Sequence, residues 1–572
     1  MTDSVQARYQ SWLHNSLLND DERFQLSQLD AQGVTDCFGP PPVFGTAGLR
    51  TPAGLGTSRL NRHTAAWTAR ALGMRLAARG PDFAARGVCI GYDARHGSAG
   101  LARAAADALC GMGIPVYLFS KPRPTPELSF AVRALDAAAG ICMTASHNPP
   151  QYLGLKVYWQ GGAQIGDALA GEIAGEMARS DVLAPTPPPL CDVTFLGHDM
   201  DERFIASALR CIQGRSDIAA CPDLAIVYTP FHGVGGAVVP EVLQKAGLTS
   251  VHCVSEQLKP DGDFPTTPDP NPENPDGFGP ALTLAEKVRA DLILANDPDA
   301  DRIAVWARDA GGTVRPLTGN QVGVLLTDFL LQKASPQDII LKTLVSTDMA
   351  RLAAERRGCR CIDTFTGFKH LAAEAERLRQ SGLRPVLAFE EAIGYMLNPD
   401  VHDKDGVSAA LVIASMACGL RARGLTLHDR LDELGRELGF HAERTASVTL
   451  PGAVGQDAIR GSLDSLRRSP PAVISGRAVL RTDDFLCCIS RAADGTQLPL
   501  SPCGADVLRF VLSGGCTVVI RPSGTEPKIK LYALARSRTQ QQALDSAQVC
   551  AQDALHTLRL EHYTGTRSVK IL

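Results

Sequence analysis

Short apolar runs, most of them β-branched, recur along this chain with Ala/Leu/Arg-rich stretches between them. That alternation constrains the fold more than any other feature. Val88-Cys89-Ile90-Gly91-Tyr92, Leu224-Ala225-Ile226-Val227-Tyr228, Leu292-Ile293-Leu294-Ala295, Ile339-Ile340-Leu341 and Val386-Leu387-Ala388-Phe389 each have the length and flanking turn residues of a buried strand. Residues 99–112, 237–247, 320–333 and 368–380 read as helices. Strand and helix in alternation predict α/β domains with mixed, largely parallel sheets. In such folds, ligand-binding loops sit at the carboxyl ends of the strands. Asp93, His232-Gly233, Asp297 and Glu390 each follow one of these runs.

A chain of 572 residues has room for roughly three to five such domains of about 100–200 residues. The stretch Ala184-Pro185-Thr186-Pro187-Pro188-Pro189 is a stiff linker candidate and the first expected boundary. The Pro-rich residues 260–275 read as a rigid loop within a domain, because strand-like residues resume soon afterwards. Beyond residue 440 the alternation weakens. Thr445–Leu450 and Cys516–Ile520 read as strands and Gln540–Leu560 as a helix, which predicts a smaller α+β C-terminal domain.

A net charge of −4, with basic residues scattered, gives no field favouring nucleic acid. The polar, acidic N-terminus lacks the order of a signal peptide. No uncharged apolar stretch approaches the roughly 20 residues of a membrane span. The expectation is a cytoplasmic protein. Its 16 Cys are scattered, as suits buried reduced thiols, and the lone Cys359-x-Cys361 lacks a second pair at zinc spacing.

The chemistry concentrates in two segments. Thr144-Ala145-Ser146-His147-Asn148-Pro149 offers a hydroxyl that can carry a phosphoryl group. Ala145 lets backbone approach a ligand, His147 and Asn148 can donate to phosphoryl oxygens, and Lys156 follows ten residues on. A surface turn has the same composition. Asp297-Pro298-Asp299-Ala300-Asp301-Arg302 presents carboxylates at alternate positions, an oxygen-rich cage suited to Mg2+. An EF-hand is excluded, since Arg302 and Arg308 stand where Gly and Glu are required. A solvated acidic turn is the plainer reading, and the apolar strand before it argues against that.

Arg521-Pro522-Ser523-Gly524-Thr525-Glu526-Pro527-Lys528 reads either as an anion nest or as an ordinary Gly-containing turn. Phe44-Gly45-Thr46-Ala47-Gly48-Leu49-Arg50 is a second Gly-rich loop ending in a guanidinium. Glu390-Glu391-Ala392-Ile393-Gly394-Tyr395 could accept bonds from sugar hydroxyls. Gly367-Phe368-Lys369-His370 is flexible, then aromatic, then basic, and Lys404 lies in Asp403-Lys404-Asp405-Gly406. A dinucleotide fingerprint fails at Val238, where its third glycine belongs; no ATP-type P-loop is present, and no G-x-S-x-G elbow surrounds Ser146.

Taken in order, Phe44–Arg50, Thr144–Pro149, Asp297–Arg302, Thr366–Lys369, Glu390–Tyr395 and Arg521–Thr525 resemble the segments of the α-D-phosphohexomutase family, the phosphoglucomutases and phosphomannomutases. The resemblance implies three similar α/β domains and a smaller α+β C-terminal domain around a central cleft: 1–192 with the phosphoserine loop, 193–318 with the metal loop, 319–438 with the sugar-recognition loop and 439–572 with the phosphate-binding loop. It implies that Ser146 carries the phosphoryl group and that Asp297, Asp299 and Asp301 hold Mg2+, with a phosphoserine oxygen as a further ligand. Arg302, Arg50 and Lys156 would surround the reacting phosphate. Glu390 would bind sugar hydroxyls, Gly367 would lie in the specificity loop, and Arg521, Ser523, Gly524 and Thr525 would bind the non-reacting phosphate; Lys369 and Lys404 are further candidate substrate-binding residues, Lys404 reading equally as a salt-bridged turn lysine. Many members have Ser where this chain has Ala392. That departure and the Asp403–Gly406 segment look more like the phosphoglucomutase-2-type branch, which includes phosphopentomutases and a glucose-1,6-bisphosphate synthase.

The implied reaction interconverts α-D-glucose 1-phosphate and glucose 6-phosphate, with glucose 1,6-bisphosphate as intermediate and activator. Phosphomannomutase, phosphopentomutase and bisphosphate-synthase activities are the alternatives on the same scaffold. A base must take the hydroxyl proton: Lys156 if its surroundings lower its pKa, otherwise His147. The C-terminal domain is expected to close on the substrate and exclude water. Two other classes compete, a metal-dependent sugar-phosphate phosphatase and a non-catalytic sensor. The expected partners are small-molecule sugar phosphates, with neither nucleic acid nor membrane, and the chain is expected as a monomer or weak homo-oligomer.

Overall fold

The protein is described by a computed structural model covering residues 2–42, 48–214, 217–450, 452–523, 527–558, 560 and 568–571. It divides into two compact units, Met1–Thr318 with Ala392–Thr426, and Gly319–Glu391 with Leu427–Leu572. Among the described residues no helix is long and apolar enough to cross a membrane.

The first unit holds two mixed sheets. In the six-stranded one, Val88–Tyr92 lies between Ala139–Met143 and Val116–Phe119, both parallel to it. Tyr152–Trp159 and Leu49–Pro52 add antiparallel strands on one side. All five residues of Ala139–Met143 are buried, which explains why these strands read as continuous apolar runs rather than alternating ones. The helices Arg62–Ala77 and Ser98–Cys110 pack on each other through small residues, with Ala65, Ala69, Ala102 and Ala105 fully buried.

Residues 184–189 carry no regular element. The chain next forms Val193–Leu196, which pairs parallel with Val116–Phe119.

The five-stranded sheet runs in the order Val314–Leu317, Ile303–Arg308, Leu292–Asn296, Ile226–Thr229, Val251–Cys253. Its Ile226–Thr229 strand starts two residues later than expected, because Ala225 N–H is turned to Asp291 Oδ2 at 2.9 Å. Residues 260–275 contain no regular element before the short 3-10 turn Pro275–Phe278, as expected of a loop within a domain.

In the second unit Asp338–Thr343 is flanked by the parallel strands Arg360–Thr364 and Arg384–Glu390. The helices Gly319–Leu330 and Phe368–Gln380 match the expected positions. Cys359 and Cys361 are buried here; burial pushes the Cys361 thiol up to about 12, so it is inert. The C-terminal region is an antiparallel sheet of nine strands among the described residues, with the helices Gly452–Arg468 and Gln540–Thr557. Fold class is therefore three α/β sheet layers and one β-rich α+β domain.

Candidate active site

Three loops at strand ends build the site of the first unit. Asp93 and Arg95 follow Val88–Tyr92, Ser146 follows Ala139–Met143, and the aspartates follow Leu292–Asn296. Ser146 is fully buried and sits at φ 53°, a left-handed conformation costly for a residue with a side chain. Its surroundings hold it there. Thr144 Oγ1 accepts Ser146 N–H at 2.8 Å, and the Arg95 guanidinium donates to the carbonyls of Ser146 at 2.7 Å, Pro149 at 2.7 Å and Tyr152 at 3.1 Å, and also to that of Asn148. Arg95 is itself buried, pairs with Asp93 at 3.3 Å and lies over the Phe264 ring. Gly154 lets the neighbouring strand pass close by, since a Cβ there would lie 2.1 Å from Thr144 O.

Ser146 Oγ donates to Asp297 Oδ2 at 2.9 Å and lies 3.2 Å from His147 Nδ1. Asp297, Asp299 and Asp301 are all buried, with one carboxylate oxygen of each within 4.8 Å of the others. Their loop turns at Ala300, φ 56°, and rests on Gly233, where a Cβ would strike Pro298 backbone at 2.4 Å. Thr125 donates to Asp299 through both its hydroxyl, 2.8 Å to Oδ2, and its N–H, 2.9 Å to the carbonyl. Lys156 Nζ reaches Asp299 Oδ2 at 2.7 Å and Asp301 Oδ2 at 2.8 Å, and Lys404 Nζ reaches Asp301 Oδ2 at 3.1 Å. Three carboxylates thus crowd together in a buried place. Burial, then Asp301 and Asp299, push the Asp297 carboxyl well above its usual range.

The donor set fits a hard divalent cation. It is all oxygen, and Asp299 Oδ1 and Asp301 Oδ1 are buried with no hydrogen-bond partner among the described residues. A carboxylate oxygen left bare in the interior is costly unless something positive completes it.

Arg50 donates to Asn148 Oδ1 at 2.9 Å. Arg302 N–H donates to Asp297 Oδ1 at 3.0 Å, and its guanidinium lies 4.0 Å from Asp301. Burial, then Arg302 and Arg50, hold the His147 imidazole well below its ordinary pKa, so it is neutral. Lys156 goes the other way. Burial alone would lower its pKa, but Asp299, Asp301 and Asp403 outweigh that and raise it. The lowered pKa that a base at Lys156 requires is absent.

Lys404 lies against the aspartates rather than apart from them. Asp403, beside it, accepts Tyr158 OH and Gln164 Nε2, each at 2.7 Å. Sequence reasoning missed Arg95, Thr125 and Asp403. The only signal for Arg95 was its position two residues beyond Asp93.

The second unit gathers another group. Glu390 Oε1 accepts Gly367 N–H at 2.7 Å, with Gly367 at φ 114° opening the helix that carries half-buried Lys369. Arg521 lies over Tyr532 at 5.9 Å and 3.4 Å from its hydroxyl. Ser523 N–H donates to Lys528 O at 2.7 Å. Phe44–Ala47, Gly524 and Thr525 lie outside the described residues.

Comparison with known proteins agrees along the chain. Residues 41–183, 202–311 and 318–437 match the phosphoglucomutase/phosphomannomutase alpha/beta/alpha domains I, II and III, and 483–548 match the C-terminal domain. The chain is 34% identical over 514 residues to a phosphoglucomutase of Staphylococcus aureus strain MSSA476, covering 87% of this chain and 90% of that one. Its fold is similar to that of a phosphoglucomutase/phosphomannomutase family protein from Burkholderia thailandensis, with a TM-score of 0.67, 20% identity and coverage of 92% and 98%. Parafusin from Paramecium gives a TM-score of 0.63 at 17% identity, with coverage of 93% and 98%. On these matches and the ordered segments that first suggested it, the chain belongs to the phosphoglucomutase/phosphomannomutase family.

Proposed function

We propose that this protein is a mutase interconverting α-D-glucose 1-phosphate and glucose 6-phosphate through a phosphoserine at Ser146 and a 1,6-bisphosphate. The observation that carries the reading is the contact of Ser146 Oγ with Asp297 beside two aspartates whose outer oxygens are unsatisfied. The phosphoglucomutase of S. aureus at 34% identity supports glucose as the sugar.

The sugar hydroxyl attacks the phosphorus on Ser146, and the bond to Oγ breaks. His147, neutral and 3.2 Å from Oγ, takes the hydroxyl proton and passes it to the released serine oxygen. The bisphosphate turns over. The second transfer reverses the proton path and returns a phosphoryl group to Ser146. Arg50 and Arg302 offset charge on the transferring group, a task in which position and electrostatics dominate. Lys156 and Lys404 keep Asp299 and Asp301 ionised and oriented. When held by Asp297, Asp299, Asp301 and a Ser146 phosphoryl oxygen, Mg2+ supplies further positive charge there. In the second unit, Glu390, Gly367 and Lys369 are the candidates for recognising sugar hydroxyls, and Arg521 and Ser523 for recognising a phosphate.

Isomer interconversion and phosphate release, followed in one tube with and without glucose 1,6-bisphosphate, test this. A mutase gives isomerisation stimulated by the bisphosphate. Free phosphate alone would replace the reading with a phosphatase, and neither product with a sensor. A panel of glucose, mannose, ribose and deoxyribose 1-phosphates assigns the sugar.

A further inference from the structure

Away from the aspartates, the first unit carries a cleft of about 420 Å3 between the helices Thr125–Ala134 and His198–Arg210 and the loop at Asp400. Phe130 and Phe204 pack the helices together, with ring centroids 5.7 Å apart. Arg133, Arg203 and Arg210 line the cleft, with Asp400 as the opposing charge. Three guanidiniums thus face one carboxylate. Arg210 pairs with Asp400, which also accepts Ser207 Oγ at 2.7 Å. Arg203 donates to the carbonyl of Ala134 at 3.0 Å. Arg133 donates to that of Gly161 at 3.2 Å and lies 3.1 Å from His402 Nδ1. Arg203 donates here to a carbonyl, and Asp400 is the one carboxylate lining the cleft, so its guanidiniums outnumber its carboxylates. A guanidinium has five donors in a planar fork, more than these bonds use.

We propose that this cleft is a second anion site, taking a phosphate-bearing small molecule. Its volume lies within the range of small-ligand sites, about 300–1,000 Å3. A planar guanidinium can hold two phosphate oxygens at once through parallel N–H bonds. Phe130 and Ala206 give an apolar wall for the body of the ligand.

The same elements lead to the aspartates. The helix that bears Arg133 begins at Thr125, which holds Asp299, and its ten residues span about 15 Å. His402, against Arg133, is two residues from Lys404, which holds Asp301. An occupant of the cleft therefore acts on both elements that position the triad. This coupling rests on the mutase reading; the site itself does not.

Calorimetry with inorganic pyrophosphate in the presence of chelator tests the site without any turnover. The full chain is compared with Arg203→Ala and with Arg203→Glu/Arg210→Glu. Both positions are exposed and outside the catalytic machinery. The expected result is a class of sites in the unaltered protein that is weakened about tenfold in Arg203→Ala and absent in the double variant, as the loss of charge-assisted hydrogen bonds predicts. Identical isotherms in all three proteins, or no such class in the unaltered one, would overturn the site. At saturating sugar phosphate, pyrophosphate should change kcat of the unaltered protein by about twofold or more and leave the double variant unchanged, on the scale of ordinary coupling energies. Binding with kcat unmoved would overturn the coupling and leave the site standing. Absence of turnover in every protein would count against the mutase reading alone.

Discussion

Ser146 Oγ and Asp297 Oδ2 lie 2.9 Å apart although 151 positions separate them along the chain. The serine comes from the first sheet and the aspartate from the second, so the contact depends on the packing of both layers. Ser146→Ala should abolish turnover and phosphoryl labelling of the protein while leaving its melting temperature within a few degrees. A variant that still isomerises sugar phosphates would remove the serine from the reaction.

Metal removal has a separate readout. With Asp299 Oδ1 and Asp301 Oδ1 bare, Mg2+ should raise the melting temperature of the unaltered protein, and chelation should reverse this and stop turnover. Asp299→Asn should weaken Mg2+ by about 100-fold or more. Titration calorimetry with Mg2+ checks both, and equal affinity in the variant would assign the cation elsewhere.

His147 fixes the sign of the pH dependence. Its imidazole must be neutral to accept a proton, and its pKa is lowered by burial, Arg302 and Arg50. The acidic fall of kcat should therefore lie below the ordinary histidine value of about 6.5, with activity lost as pH drops through that lowered value. His147→Gln should remove this limb and cost about 10²–10⁴ in kcat. A kcat profile with its limb at or above the ordinary value contradicts the assignment.

Arg95 positions the serine loop without touching the reacting atoms. Arg95→Lys keeps the charge but loses the fork that gathers several carbonyls. A displacement of about 1 Å would cost roughly 100-fold in kcat, with KM little changed. If kcat and KM moved together with a large fall in melting temperature, the role would be structural support only.

Far from the chemistry, Glu22 receives two bonds from Arg62, each 2.7 Å, tying the N-terminal helices to the first sheet layer. Burial raises the Glu22 pKa, but the bonds from Arg62 and the Asn19 backbone outweigh it, and the net shift is down. The resulting stability is present above the unfolded value and lost as pH falls through the folded one. Half-exposed Arg62 limits it to about 1 kcal/mol or less. Hydrogen exchange of residues 2–38 should be faster in Glu22→Gln at pH 7, with the difference fading in acid; an unchanged rate at pH 7 would show the pair contributes nothing.

The buried strands were legible because burial on both faces writes a continuous apolar run. The serine and aspartate segments were legible because their chemistry is local. The charge state of Lys156 was not. Its partners Asp299 and Asp301 lie 143 and 145 positions away, and only the packed structure shows that they outweigh burial. Arg95 was invisible for a related reason: its role consists of carbonyls more than fifty positions downstream. Arg133, Arg203 and Arg210 form no motif at all until two helices pack.

The first unit is discontinuous, closing only with Ala392–Thr426. A ribosome adding about 5–20 residues per second makes Lys404 roughly a hundred residues after Asp301, hence some seconds later. Throughout that interval the nascent aspartates lack one of their two lysines. Newly made protein must therefore wait for a distant stretch of message before its acidic loop is fully balanced, and a chain released early would carry that imbalance permanently.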